Sequence, residues 1–369
     1  MKRDENGNEA AYKARFHVKG CCDKSKAFKD TFAPTLRYAT LRVIMALSAR
    51  MGATIHQMDV KAAFVHAKLL RPVYIEQPKF HEVGDPKRKV LKLLKALYGL
   101  VEAPRLWYET FATVLLKIGF KRVHGDPCLF AMIEPIDGQM HSSLLGVFVD
   151  DILMFGTKAA RLDEIKVMIG KNFVTKDLGP AKWALGMRVQ QGGDHITLDQ
   201  TRYLTMVLSW FKEYIEAAKA VHYGRAPITP LVPGATVARR PPGGEPIKGK
   251  YREAVGCLAY LSIGTGPDIT HAVSVLSRHL THPGKQHWDM VMHTMRYLEA
   301  TVDIAIKFKK RPSPVHHFEP GLLNNDGHES SSIVAASDSD WATDPDSSKS
   351  ISGMMMTLTG AAISWHSKM

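Results

Sequence analysis

The sequence predicts an α+β fold, and three features predict it. Two apolar runs of strand length, Leu144-Leu145-Gly146-Val147-Phe148-Val149 and Ile152-Leu153-Met154-Phe155, flank Asp150-Asp151 in the pattern of strand, turn and strand. A shorter strand, Thr54-Ile55-His56-Gln57-Met58, is closed by Asp59 before Val60-Lys61-Ala62-Ala63-Phe64 turns toward a helix. Residues 12 to about 195 alternate strand-like and helix-like segments, whereas residues 251–300 read as helix.

Taken in order, the chain opens on a basic β-like segment, followed by a helix over Leu36–Met51 and the strand that ends at Asp59. A further helix follows Pro104, then the Asp150-Asp151 hairpin, then a helix near Leu162 to Phe173. Residues 196–222 read as helix because Leu204, Val207, Leu208 and Phe211 recur at helical spacing. The stretch from Ala226-Pro227 to Pro246, with Arg239-Arg240-Pro241-Pro242-Gly243-Gly244, has the composition of a linker. Val273, Val275, Leu276 and Leu280, then Trp288, Met292, Met295 and Leu298, mark buried helical stripes. Ile333 begins a β-like terminal segment, and no internal repeat is present.

Composition narrows the class of protein. At 369 residues the chain has room for two or three domains. Its 49 Lys and Arg against 36 Asp and Glu leave a net charge of +13, which suits a polyanion-binding surface and equally a basic enzyme with a small acidic ligand. Of four cysteines only Cys21 and Cys22 are close, so neither a disulfide framework nor a CxxC zinc site is indicated. The 17 histidines lack HExxH spacing. Polar first residues and the lack of a long apolar span lead us to expect a soluble intracellular chain without a membrane partner.

Adjacent carboxylates between apolar strands are costly. Two unit charges about 4 Å apart at an effective dielectric near 20 repel by roughly 4 kcal/mol, and desolvation adds to this. A hard divalent cation, Mg²⁺ or Mn²⁺, removes the repulsion, taking oxygen ligands from one or two carboxylates and leaving positions for substrate phosphates. A hairpin whose aspartates merely turn the chain in solvent is the competing reading of this stretch taken alone. Asp59, in a matching strand-end context upstream, favours the metal.

These motifs resemble those of copia-type retrotransposon reverse transcriptases. Gln57-Met58-Asp59-Val60-Lys61-Ala62-Ala63-Phe64 is similar to the family's LDVKNAF block, and Phe148-Val149-Asp150-Asp151 to its YVDD block. In the same order, Tyr12-Lys13-Ala14-Arg15 resembles YKAR, Leu97-Tyr98-Gly99-Leu100 through Ala103-Pro104-Arg105 and Trp107-Tyr108 resembles LYGLKQAPRxWY, and Lys176-Asp177-Leu178-Gly179 with Leu185-Gly186 resembles KDLGxxKYFLG. Tyr251-Arg252, Pro267-Asp268-Ile269, Ser337-Asp338-Ser339-Asp340-Trp341-Ala342 and Ile363-Ser364-Trp365 continue the series, so the resemblance runs from about residue 12 to the last.

The resemblance implies a right-hand polymerase of fingers, palm and thumb with an antiparallel palm sheet, plus an incomplete RNase H-like β segment. It implies fingers and palm over 12–222, a linker over 223–250, a helical thumb or connection over 251–310 and a truncated RNase H-like segment over 333–369. The implied reaction is RNA-directed DNA synthesis, with two divalent ions (Mg²⁺ or Mn²⁺), dNTPs, a primed RNA or DNA template and the other parts of a Pol polyprotein as cofactors and partners. Its setting would be cytoplasmic, in virus-like particles, or nuclear.

Asp59 and Asp150 are then the principal catalytic metal ligands. Asp151 is a supporting carboxylate, because successive side chains of an extended strand alternate faces. Phe64 would lie against the nucleotide sugar and clash with a 2′-hydroxyl, unless it is an ordinary core aromatic. Lys13 and Arg15, on one face of a strand, would meet the triphosphate, or would form a solvated basic edge. Leu185-Gly186 would hold the primer, where Gly allows close backbone approach, although a kinked strand would look the same. Lys117, Lys121 and Arg122 read better as a charged, exposed helix end than as phosphate contacts.

Some positions depart from the pattern. Val101-Glu102 stands where the family has Lys-Gln, and Gly266 where it has Arg; the chain also begins within the expected fingers. A catalytically dead remnant that only binds nucleic acid is therefore a second expectation. The terminal segment resembles the first strand of a ribonuclease H domain, with Asp338 as its first metal carboxylate. As a fragment it is expected to lack hybrid-cleaving activity and to expose an unsupported sheet edge.

Overall fold

The computed structural model describes residues 2–3, 9–11, 16–22, 31–85, 88–221, 225–234, 237–241, 243–244, 247, 250–309 and 333–369. In chain order the elements are β1 (Lys2–Arg3), β2 (Glu9–Ala11), α1 (Tyr38–Met51), β3 (His56–Val60), β4 (Tyr74–Ile75), β5 (Leu91–Lys92), α2 (Ala103–Ile118), β6 (Lys121–Val123), β7 (Asp126–Ile136), β8 (Gln139–Phe148), β9 (Asp151–Gly156), α3 (Ala159–Gly170) and β10 (Thr175–Pro180). There follow β11 (Trp183–Ala184), β12 (Met187–Gln191), β13 (His195–Asp199), α4 (Thr201–Trp210), α5 (Lys212–Val221), α6 (Tyr251–Gly264), α7 (Thr270–Ser277), α8 (Lys285–Ala300), β14 (Ile306–Lys309), β15 (Val334–Ser339), β16 (Ser352–Leu358) and β17 (Ala361–Lys368). Mixed helices and antiparallel sheets are thus the fold class, and the chain divides into two compact units, Met1–Arg37 with His56–Gly179, and Tyr38–Ile55 with Pro180–Met369.

The first unit is built on a six-stranded sheet in the order β10-β3-β9-β8-β7-β6. Its central strand β9 is apolar on both faces, with Ile152, Leu153, Met154 and Phe155 all buried, which is why the sequence shows a continuous apolar run there rather than an alternation. Helices α2 and α3 cover one face through Leu106, Trp107, Phe111, Leu115, Leu162, Ile165 and Ile169, packed on Met58, Val60, Ile152 and Met154. Pro104 in the first turn starts α2, and Gly119 at φ 114° ends it in a left-handed cap. The long β7–β8 hairpin turns at Asp137-Gly138, both at positive φ, the combination a type I′ turn requires.

In the second unit, β11-β12-β13-β14 form an antiparallel sheet and α4–α8 share a core of Leu204, Val207, Phe211, Leu258, Val291 and Met295. One sequence expectation changes here. Residues 196–199, read as the start of a helix, lie in β13, because Ile196 and Leu198 are buried at spacing two and the strand pairs with both β12 and β14. By contact, β11–β13, α4 and α5 group with the second unit, where Leu204, Val207, Phe211 and Ile215 bury against α6 and α8. Helix α1 belongs there too.

The described part of the 223–250 stretch and the terminal segment are both packed. In the 223–250 stretch, the Thr229 carbonyl accepts from His293 Nε2 at 3.0 Å, the Pro230 carbonyl from Thr294 Oγ1 at 2.9 Å and the Ala238 carbonyl from His287 Nε2 at 2.9 Å, all on α8. In the terminal segment, β15-β16-β17 form a meander held to α1 by Arg42. Arg42 is 5% exposed, and its guanidinium donates from Nε to the Ile363 carbonyl (2.8 Å) and from Nη1 to the Ile263 and Gly264 carbonyls (2.8 and 2.7 Å), and lies 3.9 Å from the centre of the Trp365 ring. Burial lowers its pKa to about 10, so it stays charged at neutral pH. Among the described residues, no helix is long and apolar enough to cross a membrane.

Candidate active site

Strand register brings the acidic motifs together. In the antiparallel pair β3–β9, Gln57 faces Leu153, Met58 faces Ile152 and Asp59 faces Asp151. Met58 and Val60 point into the helix-covered core, so by the period of two Gln57 and Asp59 point to the other face, with Asp151 opposite Asp59 on that face. Like charges directly across a ladder are destabilising. Burial, then Asp150, then Asp59 hold the Asp151 carboxyl above its ordinary value, offset in part by Gln57, whose Nε2 stands 3.5 Å from Asp151 Oδ1.

Asp150 occupies the β8–β9 turn rather than the strand. Phe148 pairs with Asp151, leaving Val149 and Asp150 as a two-residue loop. Val149 has φ 58° and Asp150 does not share a positive φ, the pattern of a type II′ turn, whose first position favours glycine. A β-branched residue there stores on the order of 1–3 kcal/mol. The turn is held from two sides. Trp107 Nε1 donates to the Val149 carbonyl at 2.6 Å, and the Val60 N–H donates to the Asp150 carbonyl at 2.9 Å. The alternation rule that set Asp151 aside therefore does not apply between a turn residue and a strand residue, and Asp151 is the carboxylate paired with Asp59.

A divalent cation suits this donor set. All three groups are hard oxygen donors, and Asp151 already bears the cost of two like-charged neighbours, which a cation would reverse. Among the described residues no three His, Cys, Asp or Glu side chains are grouped so that together they could hold a metal ion. Mg²⁺ is commonly held by one or two carboxylates, with water and substrate phosphate supplying the rest.

Around the acids, Phe64 sits in a one-turn 3-10 helix, Ala63–His66, entered through Ala62 at φ 53°. Its ring is half-buried at the rim of the core and meets Tyr98 edge-on, centroids 4.7 Å apart at 61°. Gly99 follows at φ 92°, and a Cβ there would stand 1.9 Å from the Val18 carbonyl oxygen, because residues 18–20 run against this loop with Val18 N–H donating to Tyr98 O at 2.8 Å. Gly99→Ala is expected to destabilise the chain by about 2–4 kcal/mol through strain and displacement of that contact; thermal unfolding measures it, and an unchanged midpoint would contradict the packing.

The departure at Val101-Glu102 has a local answer. Glu102 is buried at the N-terminus of α2, where the helix dipole favours a carboxylate, and Arg71 Nη2 lies 3.1 Å from its Oε1. The added negative charge is thus paired inside the first unit. Asp177 of the Lys176-Asp177-Leu178-Gly179 motif is equally structural: it accepts from Lys166 Nζ at 3.0 Å and from the Gly179 N–H at 2.9 Å.

Other predicted site residues lie elsewhere. Lys13 and Arg15 fall outside the described residues. Leu185 and Gly186, both at positive φ, form the tip of the β11–β12 hairpin in the second unit. A Cβ on Gly186 would meet Tyr260 Oη at 2.7 Å, and that hydroxyl donates to the Leu185 carbonyl at 3.3 Å, so the protein itself supplies a close approach that requires glycine. Lys117, Lys121 and Arg122 are exposed, with Arg122 5.4 Å over the Tyr108 ring. Asp338 is exposed on β15 and accepts from the Ser339 N–H at 2.8 Å. Sequence reasoning missed Gln57 and Trp107 as partners of the acids; Gln57 was legible as the residue two before Asp59, hence on its face, whereas the Trp107 contact joins positions 42 apart.

The family model described as reverse transcriptase (RNA-dependent DNA polymerase) matches residues 1–221. The retrovirus-related Pol polyprotein from transposon TNT 1-94 of Nicotiana tabacum is 34% identical over 375 residues, covering 100% of this chain and 26% of that protein. Those from transposons RE2 and RE1 of Arabidopsis thaliana are 30% and 31% identical over 368 residues, each covering 100% of this chain and 23% of the relative. The chain thus spans about a quarter of the length of these curated relatives.

Proposed function

Because the chain belongs to the reverse transcriptase (RNA-dependent DNA polymerase) family, among copia-type Pol polyproteins of transposons, we propose that it extends a primer 3′-hydroxyl with dNTPs on an RNA or DNA template. The observation that carries this reading is the register: Asp59 opposite Asp151 at the end of β3, with Asp150 in the adjoining turn. Asp59, Asp150 and Asp151 would hold Mg²⁺ or Mn²⁺. When bound, such ions activate the attacking hydroxyl and stabilise the leaving pyrophosphate.

The chain's own residues do the positioning. Gln57 restrains the Asp151 carboxylate, and the core beneath Met58 and Ile152 keeps β3 and β9 in register. Phe64, whose ring packs edge-on against Tyr98, would exclude a 2′-hydroxyl from the sugar site. Lys13 and Arg15 would receive the triphosphate and the Leu185-Gly186 hairpin tip the primer, assignments that rest on motif resemblance. The two units would supply fingers and palm, and thumb, with residues 333–369 as an RNase H-like portion carrying Asp338.

Phe64→Ala is expected to admit ribonucleotides, lowering discrimination by at least about tenfold while deoxynucleotide incorporation falls less. Its stability cost should stay below the roughly 3–5 kcal/mol of a fully buried phenylalanine. Equal loss of both nucleotides would make Phe64 a packing residue only. Extension of a primed RNA template in Mg²⁺ or Mn²⁺ tests the overall reading: synthesis supports it, and binding without synthesis identifies a remnant that only binds.

A further inference from the structure

Trp107 supplies nothing to the chemistry above, yet it is tied to the turn that carries Asp150. Its ring is buried in α2, edge-on to Phe173 with centroids 5.2 Å apart and tilted against Phe111 at the same distance. Packing of that kind needs only ring surface. The single polar atom of the side chain nevertheless leaves the cluster and donates to the Val149 carbonyl at 2.6 Å. That carbonyl belongs to the peptide group preceding Asp150. The peptide group following Asp150 is fixed as well, its carbonyl accepting the Val60 N–H at 2.9 Å.

With both flanking peptide planes anchored, φ and ψ of Asp150 are set, and with them the direction of its Cα–Cβ bond. One anchor comes from β3, the strand that carries Asp59, and the other from α2. The positive φ of Val149, 58°, shows why an anchor is needed: released, this residue would return to the extended region, turning the Val149 carbonyl and Asp150 with it.

We propose that Trp107 is a positioning residue, whose indole N–H locks the Val149–Asp150 turn so that the Asp150 carboxylate is held beside Asp59 and Asp151. This rests on the reading of Asp150 as a metal-binding catalytic carboxylate, and the test separates the two. Trp107→Phe keeps an aromatic ring in the cluster and removes the donor. Phe111→Leu perturbs the same cluster without touching the turn and serves as the control for core damage.

The first readout is hydrogen exchange of the Val60 amide in the full chain, which reports the Asp150 carbonyl directly. Relative to the change in global stability, exchange at Val60 should quicken by about tenfold in Trp107→Phe and not in Phe111→Leu. The second is primer extension, in which Trp107→Phe should lose about tenfold in kcat with the KM for dNTP changed less than about twofold. Val60 exchange in Trp107→Phe no faster than in Phe111→Leu overturns the proposal. So does a loss of kcat that is equal in the two variants. Fast Val60 exchange in Trp107→Phe alongside a wild type that does not extend primers supports the lock and overturns the transfer reading alone.

Discussion

Asp151→Asn is expected to make the metal-free chain more stable while removing nucleotide incorporation. Both effects follow from one geometry. Asp151 lies across the ladder from Asp59 and next to Asp150, partly buried, and its carboxyl is held above the ordinary range of about 3.8 by burial and by those two neighbours. A carboxyl whose folded pKa is raised contributes stability that is present below its unfolded pKa and lost as pH rises through the folded value. At neutral pH the ionised group is therefore a liability, and asparagine removes it without changing volume. The thermal midpoint of the variant should exceed that of the wild type at pH 7, and the difference should shrink as pH falls through the carboxylate range. Incorporation should drop by about a thousandfold or more, since several kcal/mol of charge stabilisation depend on the ion and each 1.36 kcal/mol is a factor of ten. A variant that is less stable at pH 7 and keeps near-normal activity would contradict the account of these acids.

Binding to a primed template should be strongly salt-dependent. The first unit exposes Lys61, Lys68, Lys79, Lys89, Lys92 and Lys95, interleaved with exposed Tyr74 and Phe80, and the chain as a whole carries +13. If six such cations neutralise phosphates, the log–log plot of affinity against salt should have a slope of about −5, at roughly −0.9 per contact on a duplex. Affinity would then fall on the order of a thousandfold between 50 and 200 mM salt. Fluorescence anisotropy across that range gives the slope, and a flat response would argue against any nucleic-acid partner, active or not.

Much of this site was legible before the fold was known, and the parts that were not share a cause. The Asp150-Asp151 hairpin and the Asp59 strand follow from apolar runs interrupted by charge, a signal confined to a few consecutive residues. The signal for the Asp137-Gly138 turn is equally local, such a dipeptide between strands being the usual mark of a hairpin. Strand β13 is masked in the sequence by the strong helical period of Leu204, Val207 and Phe211 just downstream, which extends backward over Ile196-Thr197-Leu198. Division of the chain at Gly179 was beyond local reading, since α1 packs with segments more than a hundred residues away. The same holds for Arg42, whose partners Ile263, Gly264 and Ile363 lie 221 to 321 positions off and which ties the terminal sheet to α1. Register, too, is a long-range property: motif order alone did not show that Asp151, rather than Asp150, is the residue facing Asp59.

The central claim, that Asp59, Asp150 and Asp151 form a metal-dependent nucleotidyl-transfer site, is tested most directly by one assay. Wild type, Asp59→Asn and Asp150→Asn are compared in extending a labelled DNA primer on an RNA template, in Mg²⁺ and in Mn²⁺, with circular dichroism confirming that each is folded. The account predicts template-directed extension by the wild type, its loss in chelator, and no detectable extension by either folded variant. Extension by either asparagine variant within a few-fold of wild type would contradict it.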